Sequence, residues 1–353
     1  MVSRADNQFF LYNIWYHAMP SHKLKPGKMM AKTLLNQPIL LGRTKTGQPF
    51  ALRDICPHRA VPLSCGWFNG EDVQCCYHGW RFDPQGKCFE IPSLMADQKM
   101  DMSRFDVRSY EVREVQGNLW IYLPNPDASQ AQPPRFDIPK IPGFDKEVKP
   151  NITYTLRFPC FIDQAVVGLI DPAHSPFVHR AWWWRTAKLS PEIKWFDPSN
   201  YGFTMRRHRM SEAMGRIYWL TGGVPESEIV FYLPGIRTEA IATAKYRAVN
   251  LTTVTPINDH QTDVTFEFYW NVPWAFVVKP ALYFLIPAFL GQDRDVVIKQ
   301  QKGLKHESVL RLIKDSDMLA RWYYQLKAEY RRSQVEDREF VSPVKTQQLR
   351  WMA

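Results

Sequence analysis

The chain has 353 residues and a formal net charge of +10, which arises from 45 basic and 35 acidic side chains. Hydrophobic residues make up 45% and charged residues 23% of it, proportions that exclude a disordered, collagenous or coiled-coil protein. A chain of this length predicts two domains or one large domain. The positive charge suits an acidic partner or an anionic membrane surface, whereas the lack of a long Lys/Arg run argues against nucleic acid.

Cysteine content and the N-terminal residues predict a cytoplasmic, reducing location. Six cysteines in a chain this long do not form a disulfide scaffold, and the first residues contain no continuous apolar core of the kind found in signal peptides. The segment 268–292 carries only one charged side chain, Lys279, and is the nearest approach to a membrane span. Its three prolines argue against a continuous spanning helix, so we expect a lipid-like pocket or a peripheral membrane contact instead.

Residues 1–125 are typical of short strands and turns. Short apolar runs marked by Gly or Pro lie at 37–43, 48–53 and 117–124. Six prolines then fall between positions 124 and 142, which predicts an extended linker over residues 126–143. The remainder, residues 144–353, predicts a second domain.

The second domain is expected to begin with strands and to end with helices. Longer apolar runs typical of strands lie at 153–158, 203–209, 228–233, 248–255 and 262–269. The final third is predicted to be helical, and residues 308–330 place apolar side chains near one face of a period of about 3.6 residues. Strands followed by helices predict an α+β domain with an antiparallel sheet.

The strongest chemical signal is a pair of short Cys/His motifs. Cys56 and His58 form C-x-H, and after 16 intervening residues Cys75 and His78 form C-x-x-H. Two thiolates and two imidazoles can hold zinc tetrahedrally, or a [2Fe–2S] cluster with Cys on one iron and His on the other. The alternation of Cys and His favours two adjacent metals, because each loop then gives a thiolate to one iron and an imidazole to the other.

The stretches Cys56-Pro-His58-Arg59 and Cys75-Cys-Tyr-His78-Gly-Trp80 resemble the Rieske domain of the Rieske non-heme iron oxygenases. Rieske proteins of respiratory complexes add a disulfide between the two loops, but the corresponding positions here hold Val61 and Tyr77. The loops therefore resemble the oxygenase or ferredoxin type. A packing role is predicted for the other cysteines, Cys65, Cys76, Cys88 and Cys160.

A second motif contains Asp171, His174 and His179 in the pattern D-x-x-H-x-x-x-x-H. Positions five apart on an ideal helix point about 140° from one another, so the two imidazoles need a break between them. Pro176 is predicted to start a new helix, with Ser175 as its N-cap. Behind a Rieske domain, the motif resembles part of a 2-His-1-carboxylate site, which binds Fe(II) and leaves positions open for O₂.

The third iron ligand must be a distant carboxylate. Gln292-Asp293-Arg-Asp295-Val-Val-Ile-Lys-Gln-Gln resembles the family's stretch in which an acidic or amide residue and an Asp precede an apolar pair and Gln-Gln. That register implies Asp293 as the ligand, with Asp295 as the alternative. Both carboxylates are also compatible with a solvated helix start.

The resemblance implies a bridging role for Asp171, between a Rieske histidine of one subunit and an iron-binding histidine of the next. A carboxylate suits this role because it orients imidazole and provides a hydrogen-bonded electron path. The alternative is a turn or helix-cap Asp, which the sequence Asp171-Pro172 favours. Many relatives carry Asn or Glu three or four residues earlier, where this chain has Val167 and Gly168.

The resemblance runs from Asn13-Ile-Trp-Tyr to Asp293 and implies an N-terminal all-β Rieske domain, a C-terminal helix-grip catalytic domain and a homotrimer. It implies the terminal component of a monooxygenase or dioxygenase, with a [2Fe–2S] cluster and a mononuclear Fe(II), which hydroxylates or oxidatively demethylates a substrate with O₂. Because the sequence has no nicotinamide or flavin motif, electrons are expected from a separate NAD(P)H-dependent reductase or ferredoxin.

The substrate prediction comes from two apolar stretches, residues 276–291 and Trp182-Trp-Trp-Arg185. Apolar surroundings favour apolar ligands, so we expect a bulky polycyclic or terpenoid substrate such as a sterol or hopanoid. The alternative is that these stretches form core and trimer interface. Two other function classes stay open: a Rieske electron carrier, which needs no second metal motif, and a helix-grip lipid-binding protein that consumes no oxygen.

Overall fold

The computed structural model describes residues 2–3, 8–127, 132–145, 148–179, 189–210, 223–277, 279–306 and 309–353. Its chain divides into two compact units. The smaller unit comprises Tyr12–Ile138 and Lys146–Val148, and the larger comprises Met1–Leu11, Pro139–Asp145 and Lys149–Ala353. The stretch Trp182-Trp-Trp-Arg185 lies outside the described residues, so its predicted contribution to a substrate site stays a prediction.

The described residues form 21 strands and four α-helices. The strands are β1 (Val2–Ser3), β2 (Ile14–Pro20), β3 (Lys28–Leu34), β4 (Gln37–Arg43), β5 (Pro49–Arg53), β6 (Trp67–Phe68), β7 (Val73–Gln74), β8 (Arg81–Phe82), β9 (Cys88–Glu90), β10 (Ser109–Tyr110), β11 (Val112–Val115), β12 (Asn118–Leu123), β13 (Ile152–Phe158), β14 (Pro191–Ser199), β15 (Gly202–Arg209), β16 (Glu226–Tyr232), β17 (Ile236–Ala242), β18 (Arg247–Asn258), β19 (Gln261–Trp270), β20 (Val309–Leu310) and β21 (Gln347–Met352). The helices are α1 (Ile162–Ile170), α2 (Ser175–Val178), α3 (Lys279–Gly303) and α4 (Met318–Val335).

The smaller unit is built from three antiparallel sheets, in the orders β10-β5-β4-β3, β11-β12-β2 and β6-β7-β8-β9. Strands β2 and β12 pair with each other and are buried along their whole length. A separate core cluster joins apolar side chains of β4, β5, β7 and β8 to the two thiols Cys56 and Cys75. The described part of this unit contains no α-helix, which confirms the all-β prediction for the N-terminal domain.

The larger unit contains an eight-stranded antiparallel sheet in the order β13-β19-β18-β17-β16-β15-β14-β21. Helices cover one of its faces, which we call the inner face. Trp322 of α4 packs against Phe196 and Phe203, with ring centroids 5.6 and 5.4 Å apart. A Cβ on Gly235 would lie 2.9 Å from Val166 of α1 and 3.0 Å from Val254 of β18. This sheet with its helices confirms the predicted α+β class.

The five strands predicted in the larger unit all form, as β13, β15, β16, β18 and β19. Three further strands of the eight-stranded sheet, β14, β17 and β21, were not predicted, and neither was the two-stranded pair of β1 and β20. In β14, exposed Pro191, Ile193 and Trp195 alternate with more buried side chains, but its charged residues and prolines mask the apolar period. Strand β21 lies at the C-terminal end, where a helical final third was expected.

A helix was predicted over residues 308–330, and its predicted start is wrong. Residues 309–310 form β20, and α4 begins only at Met318. Asp315 adopts a left-handed conformation with φ 63°, and the Asp317 carboxylate accepts the N–H of Ile313 at 2.7 Å. Acidic and Ser residues favour such turns over a continuous helix, so the chain turns before α4 starts.

The nearly uncharged segment 268–292 does not form one continuous element. Strand β19 ends at Trp270, a 3₁₀ turn spans Pro273–Phe276, and α3 begins at Lys279 with Pro287 in its interior. Within the part of the chain that the structure describes, no helix is long and apolar enough to cross a bilayer.

Candidate metal centres

The two Cys/His motifs lie in two short loops of the smaller unit. Cys56 follows β5, and Cys75 follows β7. Both thiols are buried at 2% exposure within the core cluster. His58 is exposed and His78 is half-buried, so the sulfur atoms lie inside the unit and the imidazoles lie towards its surface.

The two loops share one backbone geometry. The N–H of Ala60 donates to the carbonyl of Cys56 at 2.9 Å, and the N–H of Gly79 donates to that of Cys75 at 3.0 Å. Each Cys N–H also donates to the carbonyl five residues further on, at 2.9 Å. Ala60 and Gly79 both have positive φ, 58° and 74°, a conformation that costs a non-glycine residue roughly 1 kcal/mol. The loops therefore hold their Cys/His pairs as two copies of one turn.

Side chains of the same type meet across the two loops. The Cys75 thiol lies close enough to Cys56 to contribute to the raised pKa of that thiol, and the ring centroids of His58 and His78 lie 4.4 Å apart. Trp80 stacks on His58 with centroids 4.6 Å apart and an interplanar angle of 4°. Two sulfurs on one side and two imidazoles on the other match a [2Fe–2S] cluster that has Cys on one iron and His on its neighbour.

The alternative of a single zinc ion fits this arrangement less well. Among the described residues, the only set of three or more His, Cys, Asp or Glu side chains whose ligand atoms all lie within 4.8 Å of one another lies elsewhere, in the larger unit. The four Cys/His donors therefore do not converge on one point. A single zinc ion requires such convergence, whereas ligands divided between two irons do not. Burial raises the pKa of Cys56 to about 11, so metal binding must displace its proton.

The packing role predicted for the other cysteines is confirmed only for Cys88 and Cys160, which are buried. Cys65 and Cys76 are exposed, so the prediction is wrong for these two. Cys76 directly follows the buried Cys75, and successive side chains of an extended chain point to opposite sides. Cys65 ends a short 3₁₀ turn at the surface.

The second centre is assembled from three helices of the larger unit. Helix α1 ends at Ile170, and Asp171 follows it. Helix α2 has only four residues, with Pro176 in its first turn, and is flanked directly by His174 and His179. This is the predicted break between the imidazoles, although His174 and not Ser175 occupies the N-cap position. Asp293 lies within α3.

The two imidazoles and the Asp293 carboxylate converge on one point. The Nε2 atoms of His174 and His179 each lie 3.5 Å from Oδ1 of Asp293. These three residues are the set whose ligand atoms lie within 4.8 Å of one another. Two imidazoles and one carboxylate form the donor set of non-heme Fe(II) sites that leave coordination positions open.

Hydrogen bonds at the opposite ring nitrogens set the tautomer of both imidazoles. Nδ1 of His174 lies 2.8 Å from the backbone carbonyl of Asp171, and Nδ1 of His179 lies 3.2 Å from Oε1 of Gln292. Because both partners are acceptors, each Nδ1 carries the proton and each Nε2 directs its lone pair towards Asp293. The centre is therefore ready to bind a cation without a change of tautomer.

Burial works against the charges of this centre. It raises the pKa of Asp293 to about 6 and lowers the pKa of His179 to about 4. The half-buried Asp293 carboxylate lies beside two imidazoles and lacks a compensating cation among the described residues, and a divalent metal would provide one. The donor set, the tautomers and the distances thus fit a mononuclear iron.

The two remaining acidic candidates occupy different surroundings. Asp295 is 60% exposed and lies 3.8 Å from the neighbouring Arg294 guanidinium, so the structure does not bring it to the centre. Asp171 is half-buried: one carboxylate oxygen accepts the N–H of Ala173 at 2.8 Å, and the other lies 3.7 Å from Nδ1 of His174. Burial raises the pKa of Asp171. Both of its predicted roles, the turn and the contact with an iron-binding imidazole, are thus compatible with its position.

Two residues of this centre were not singled out from the sequence. Gln292 orients His179, and Phe289 stacks on the same imidazole with centroids 3.8 Å apart and an interplanar angle of 17°. Gln292 directly precedes Asp293, so the sequence places it beside the carboxylate ligand. The sequence does not show that its side chain contacts His179. Phe289 lies one helical turn earlier on α3, within a segment that was read only as apolar.

Comparison with known proteins agrees with the geometry of the first centre. The sequence model of the Rieske [2Fe-2S] domain matches residues 14–111. Protein TIC 55 of Pisum sativum is 32% identical over 52% of this chain and 32% of its own length. The 4beta-methylsterol monooxygenase of Methylococcus capsulatus is 34% identical over 38% of this chain and 35% of its own length. The chain thus matches about a third of each of these relatives.

Solved structures resemble nearly the whole chain. Dicamba monooxygenase bound to dicamba superposes with a TM-score of 0.70 and 22% identity, over 93% of this chain and 99% of that one. The QL mutant of NdmA from Pseudomonas putida CBB5 with theobromine superposes with a TM-score of 0.69 and 17% identity, over 91% of each chain. The fold of both units is therefore shared with these two proteins.

Proposed function

Because this chain has a Rieske [2Fe–2S] domain and the fold of the Rieske non-heme iron oxygenases, we propose that it is the terminal oxygenase component of a multicomponent enzyme. In this proposal Cys56, His58, Cys75 and His78 hold the cluster, and His174, His179 and Asp293 hold a mononuclear Fe(II). When bound, the cluster supplies single electrons and the mononuclear iron supplies O₂ activation.

The observation that carries the proposal is the convergence of His174, His179 and Asp293. Their equal Nε2–Oδ1 distances of 3.5 Å and their fixed tautomers give a three-ligand site with open positions. A pure electron carrier has no use for such a site. A lipid-binding protein with structural metal is also disfavoured, because structural sites are usually closed by protein ligands.

The remaining residues of the centre position these ligands. Gln292 and the Asp171 carbonyl hold the Nδ1 protons of the two imidazoles, which keeps both Nε2 atoms directed at the metal position. Phe289 covers one face of His179 and excludes water from it.

Electrons are proposed to come from a separate reductase or ferredoxin. The net charge of +10 on this chain favours the docking of an acidic partner. Asp171 is proposed to link the imidazole of His174 to a Rieske histidine of a second copy, within a homotrimer. Its carboxylate supports this role because one oxygen already lies 3.7 Å from Nδ1 of His174. A carboxylate between two imidazoles provides a short hydrogen-bonded route for electrons.

The proposed reaction is hydroxylation or oxidative demethylation of a bulky apolar compound. Relatives named for such chemistry include the 4beta-methylsterol monooxygenase and, at 33% identity over 49% of this chain, the dicamba O-demethylase of Stenotrophomonas maltophilia. A polycyclic or terpenoid substrate is favoured over a small aromatic acid, since Phe289, near the end of the apolar segment before Asp293, lies against His179 at the centre.

A peripheral contact with an anionic bilayer surface is part of the same proposal. Phe276, Val277 and Phe284 are 71%, 66% and 80% exposed, and no acidic residue lies between positions 268 and 292. Apolar side chains beside a basic one suit the membrane interface. Sedimentation with phosphatidylglycerol vesicles should capture the protein, and the triple variant Phe276→Ser/Val277→Ser/Phe284→Ser should stay in solution; equal capture of both would refute this contact.

The metal content tests the proposal most directly. Iron and acid-labile sulfide are counted per chain after anaerobic purification and Fe(II) loading, together with an electron paramagnetic resonance spectrum of the reduced protein. Three irons, two sulfides and a Rieske signal are expected. The variant Asp293→Asn should lose one iron and keep the Rieske signal, whereas the matched control Asp295→Asn should keep all three. Two irons in the unaltered protein would favour the electron carrier instead.

A further inference from the structure

The inner face of the large sheet carries a cluster of polar side chains beyond the part that α1 and α4 cover. We call this the inner polar cluster, and it consists of His208, Ser227, Arg237, Glu239 and Asn250. Strand register places its members on the inner face. Glu239 pairs with both Ile229 and Asn250, and Ser227 pairs with His208. Ile229 and Ser227 lie two and four residues before Phe231 on the same strand and therefore share its face, and the Phe231 ring faces Tyr323 of α4.

The cluster has no net charge among its described members and their neighbours. Arg237 donates to Glu239 at 2.9 Å, and Lys194 contacts Glu192 at 3.0 Å on the same face. These side chains are only 17–24% exposed. Both cations are therefore already committed to carboxylates. A carboxylate ligand needs an uncommitted cationic donor, usually Arg, and the described residues of this cluster offer none.

The hydrogen-bonding groups that remain suit an uncharged ligand. Among the described residues, Oε1 of Glu239 receives only a long bond of 3.5 Å from Ser227. Nδ1 of His208 lies 3.0 Å from the Arg206 carbonyl, which leaves Nε2 as an acceptor. Oδ1 of Asn250 accepts a hydrogen bond from the Thr252 hydroxyl at 2.7 Å, so the N–H groups of the Asn250 amide are left as donors. Burial lowers the pKa of His208, in keeping with a neutral imidazole.

Apolar side chains surround this cluster on the same face. Phe268 pairs with Asn250, and Trp270 pairs with Ala248 in the next inward-facing row. Phe268, Trp270, Ile229 and Ile241 are half-buried rather than buried, so described neighbours do not fully cover them. A surface that is mostly apolar with a few convergent polar groups is typical of a small-molecule site.

We propose that the inner polar cluster recognises a single hydroxyl group on an otherwise apolar polycyclic substrate, through acceptors on Glu239 and His208 and donors on Asn250. The inference rests on the proposed oxygenase function and specifies its substrate class: an uncharged, hydroxylated polycycle rather than an aromatic acid. A hydroxyl both donates and accepts, and it therefore matches a cluster that offers both roles.

Binding of three probes tests this assignment on the metal-loaded full chain. Cholestane, cholestanol and cholanic acid have related ring systems and differ in having no polar group, a hydroxyl group or a carboxylate. Equilibrium partition from cyclodextrin should show cholestanol bound about tenfold more tightly than cholestane, the contribution of one or two net hydrogen bonds. Cholanic acid should bind more weakly than cholestanol. Equal affinities for cholestanol and cholestane, preference for the acid, or no binding of any probe would overturn the inference.

Variants then locate the recognition. Asn250→Leu should weaken cholestanol binding about tenfold, and Glu239→Gln about fivefold, because a hydrogen bond to a carboxylate is stronger than one to an amide. Neither change should alter cholestane binding. The matched control Glu228→Gln lies on β16 next to Ser227 but on the opposite face, and it should bind as the unaltered protein does. An equal loss for cholestanol and cholestane would refute specific recognition.

Oxygen uptake with a surrogate ferredoxin and reductase, measured in parallel, reports on the proposed function alone. Hydroxyl-selective binding without substrate-dependent uptake would reject the oxygenase proposal and keep the binding site. Uptake that is stimulated equally by cholestane and cholestanol would support the oxygenase and reject the cluster as its recognition element.

Discussion

Nδ1 of His179 lies 3.2 Å from Oε1 of Gln292, the residue immediately before Asp293 on α3. A single helix segment thus provides both the proposed carboxylate ligand and the group that orients one of the imidazole ligands. Neighbouring positions on a helix point about 100° apart. The Asp293 carboxylate therefore faces Nε2 of His179, while the Gln292 side chain faces Nδ1 of the same ring.

The first prediction concerns this orienting contact. Gln292→Leu removes the acceptor for the Nδ1 proton while keeping a side chain of similar size. Loss of such a partner weakens metal affinity by about 10–100-fold, so we expect an Fe(II) dissociation constant raised by that factor. Competition with a chromophoric Fe(II) chelator measures it.

The Rieske signal of this variant should stay unchanged, which shows that the smaller unit is intact. Gln300→Leu, at an exposed position of the same helix, is the matched control and should bind iron normally. If Gln292→Leu and Gln300→Leu had the same iron affinity, the contact would have no role in orienting His179.

The sequence predicted those ligands that lie close together in the chain, because their residue types and the intervals between them form a recognisable motif. Cys56 with His58, Cys75 with His78, and His174 with His179 are each close in the chain, so their types and intervals were sufficient. Asp293 lies more than a hundred residues from His179 and was found through resemblance alone. Gln292 and Phe289 were missed because their roles depend on which ring atom of His179 faces them, and spacing does not contain that information.

The same distinction explains the errors in the fold. Strands with a clear apolar run, such as β18 and β19, were predicted within a few residues of their observed ends. Strand β14 was missed because its inward positions include Glu192 and Lys194, charged residues that pair with each other inside the fold. Only the tertiary structure shows that such a pair is satisfied, so the hydrophobic pattern alone gave no strand there.

The second prediction concerns the proposed electron route. Asp171→Asn keeps the size of the side chain and the backbone carbonyl that fixes His174, but it removes the charge that would hold a second imidazole. Both metal centres should load fully, while substrate-dependent oxygen uptake should fall about 10–100-fold, the scale on which loss of an orienting partner acts. Iron and sulfide counts and an oxygen electrode measure the two properties on one sample.

Asp295→Asn provides a control of the same type at an exposed position, and its uptake should match that of the unaltered protein. Uptake near the normal rate in Asp171→Asn, with both centres loaded, would leave Asp171 as a turn residue only.

The third prediction concerns acid stability of the smaller unit. His17 is buried in β2, donates from Nε2 to Oδ1 of Asn118 at 2.9 Å, and has a pKa lowered by burial from 6.5 to about 3. A group with a depressed pKa in the folded state gives stability that is complete above its unfolded pKa and is lost as the pH falls below 6.5 towards 3. Lowering the pH from 7.5 to 5 should therefore remove about 2 kcal/mol of the free energy of unfolding through His17 alone.

His17→Gln keeps a donor for Asn118 and does not titrate, so its loss of stability over the same pH range should be smaller by that amount. Urea unfolding at the two pH values, followed by tryptophan fluorescence, gives the comparison. Identical pH dependence in the two proteins would show that His17 is not the titrating group.

The fourth prediction concerns the buried ion pair that ties α1 to α4. Nζ of Lys327 lies 2.6 Å from Oδ1 of Asp163, both side chains are 2% exposed, and the Tyr323 hydroxyl donates to the same oxygen at 2.7 Å. Lys327→Met would leave the Asp163 carboxylate buried without its cation. Breaking such a pair by removing one partner costs about 3–5 kcal/mol, and we expect that loss in the free energy of unfolding of the larger unit.

Helix α1 leads directly to Asp171, so partial loosening of α1 should also lower occupancy of the mononuclear site while the Rieske signal persists. The double variant Asp163→Leu/Lys327→Met removes both charges and should recover part of the lost stability, because no uncompensated charge then stays buried. Lys302→Met, at an exposed position of α3, should unfold as the unaltered protein does. If Lys327→Met were no less stable than Lys302→Met in urea, the ion pair would not hold α1 against α4.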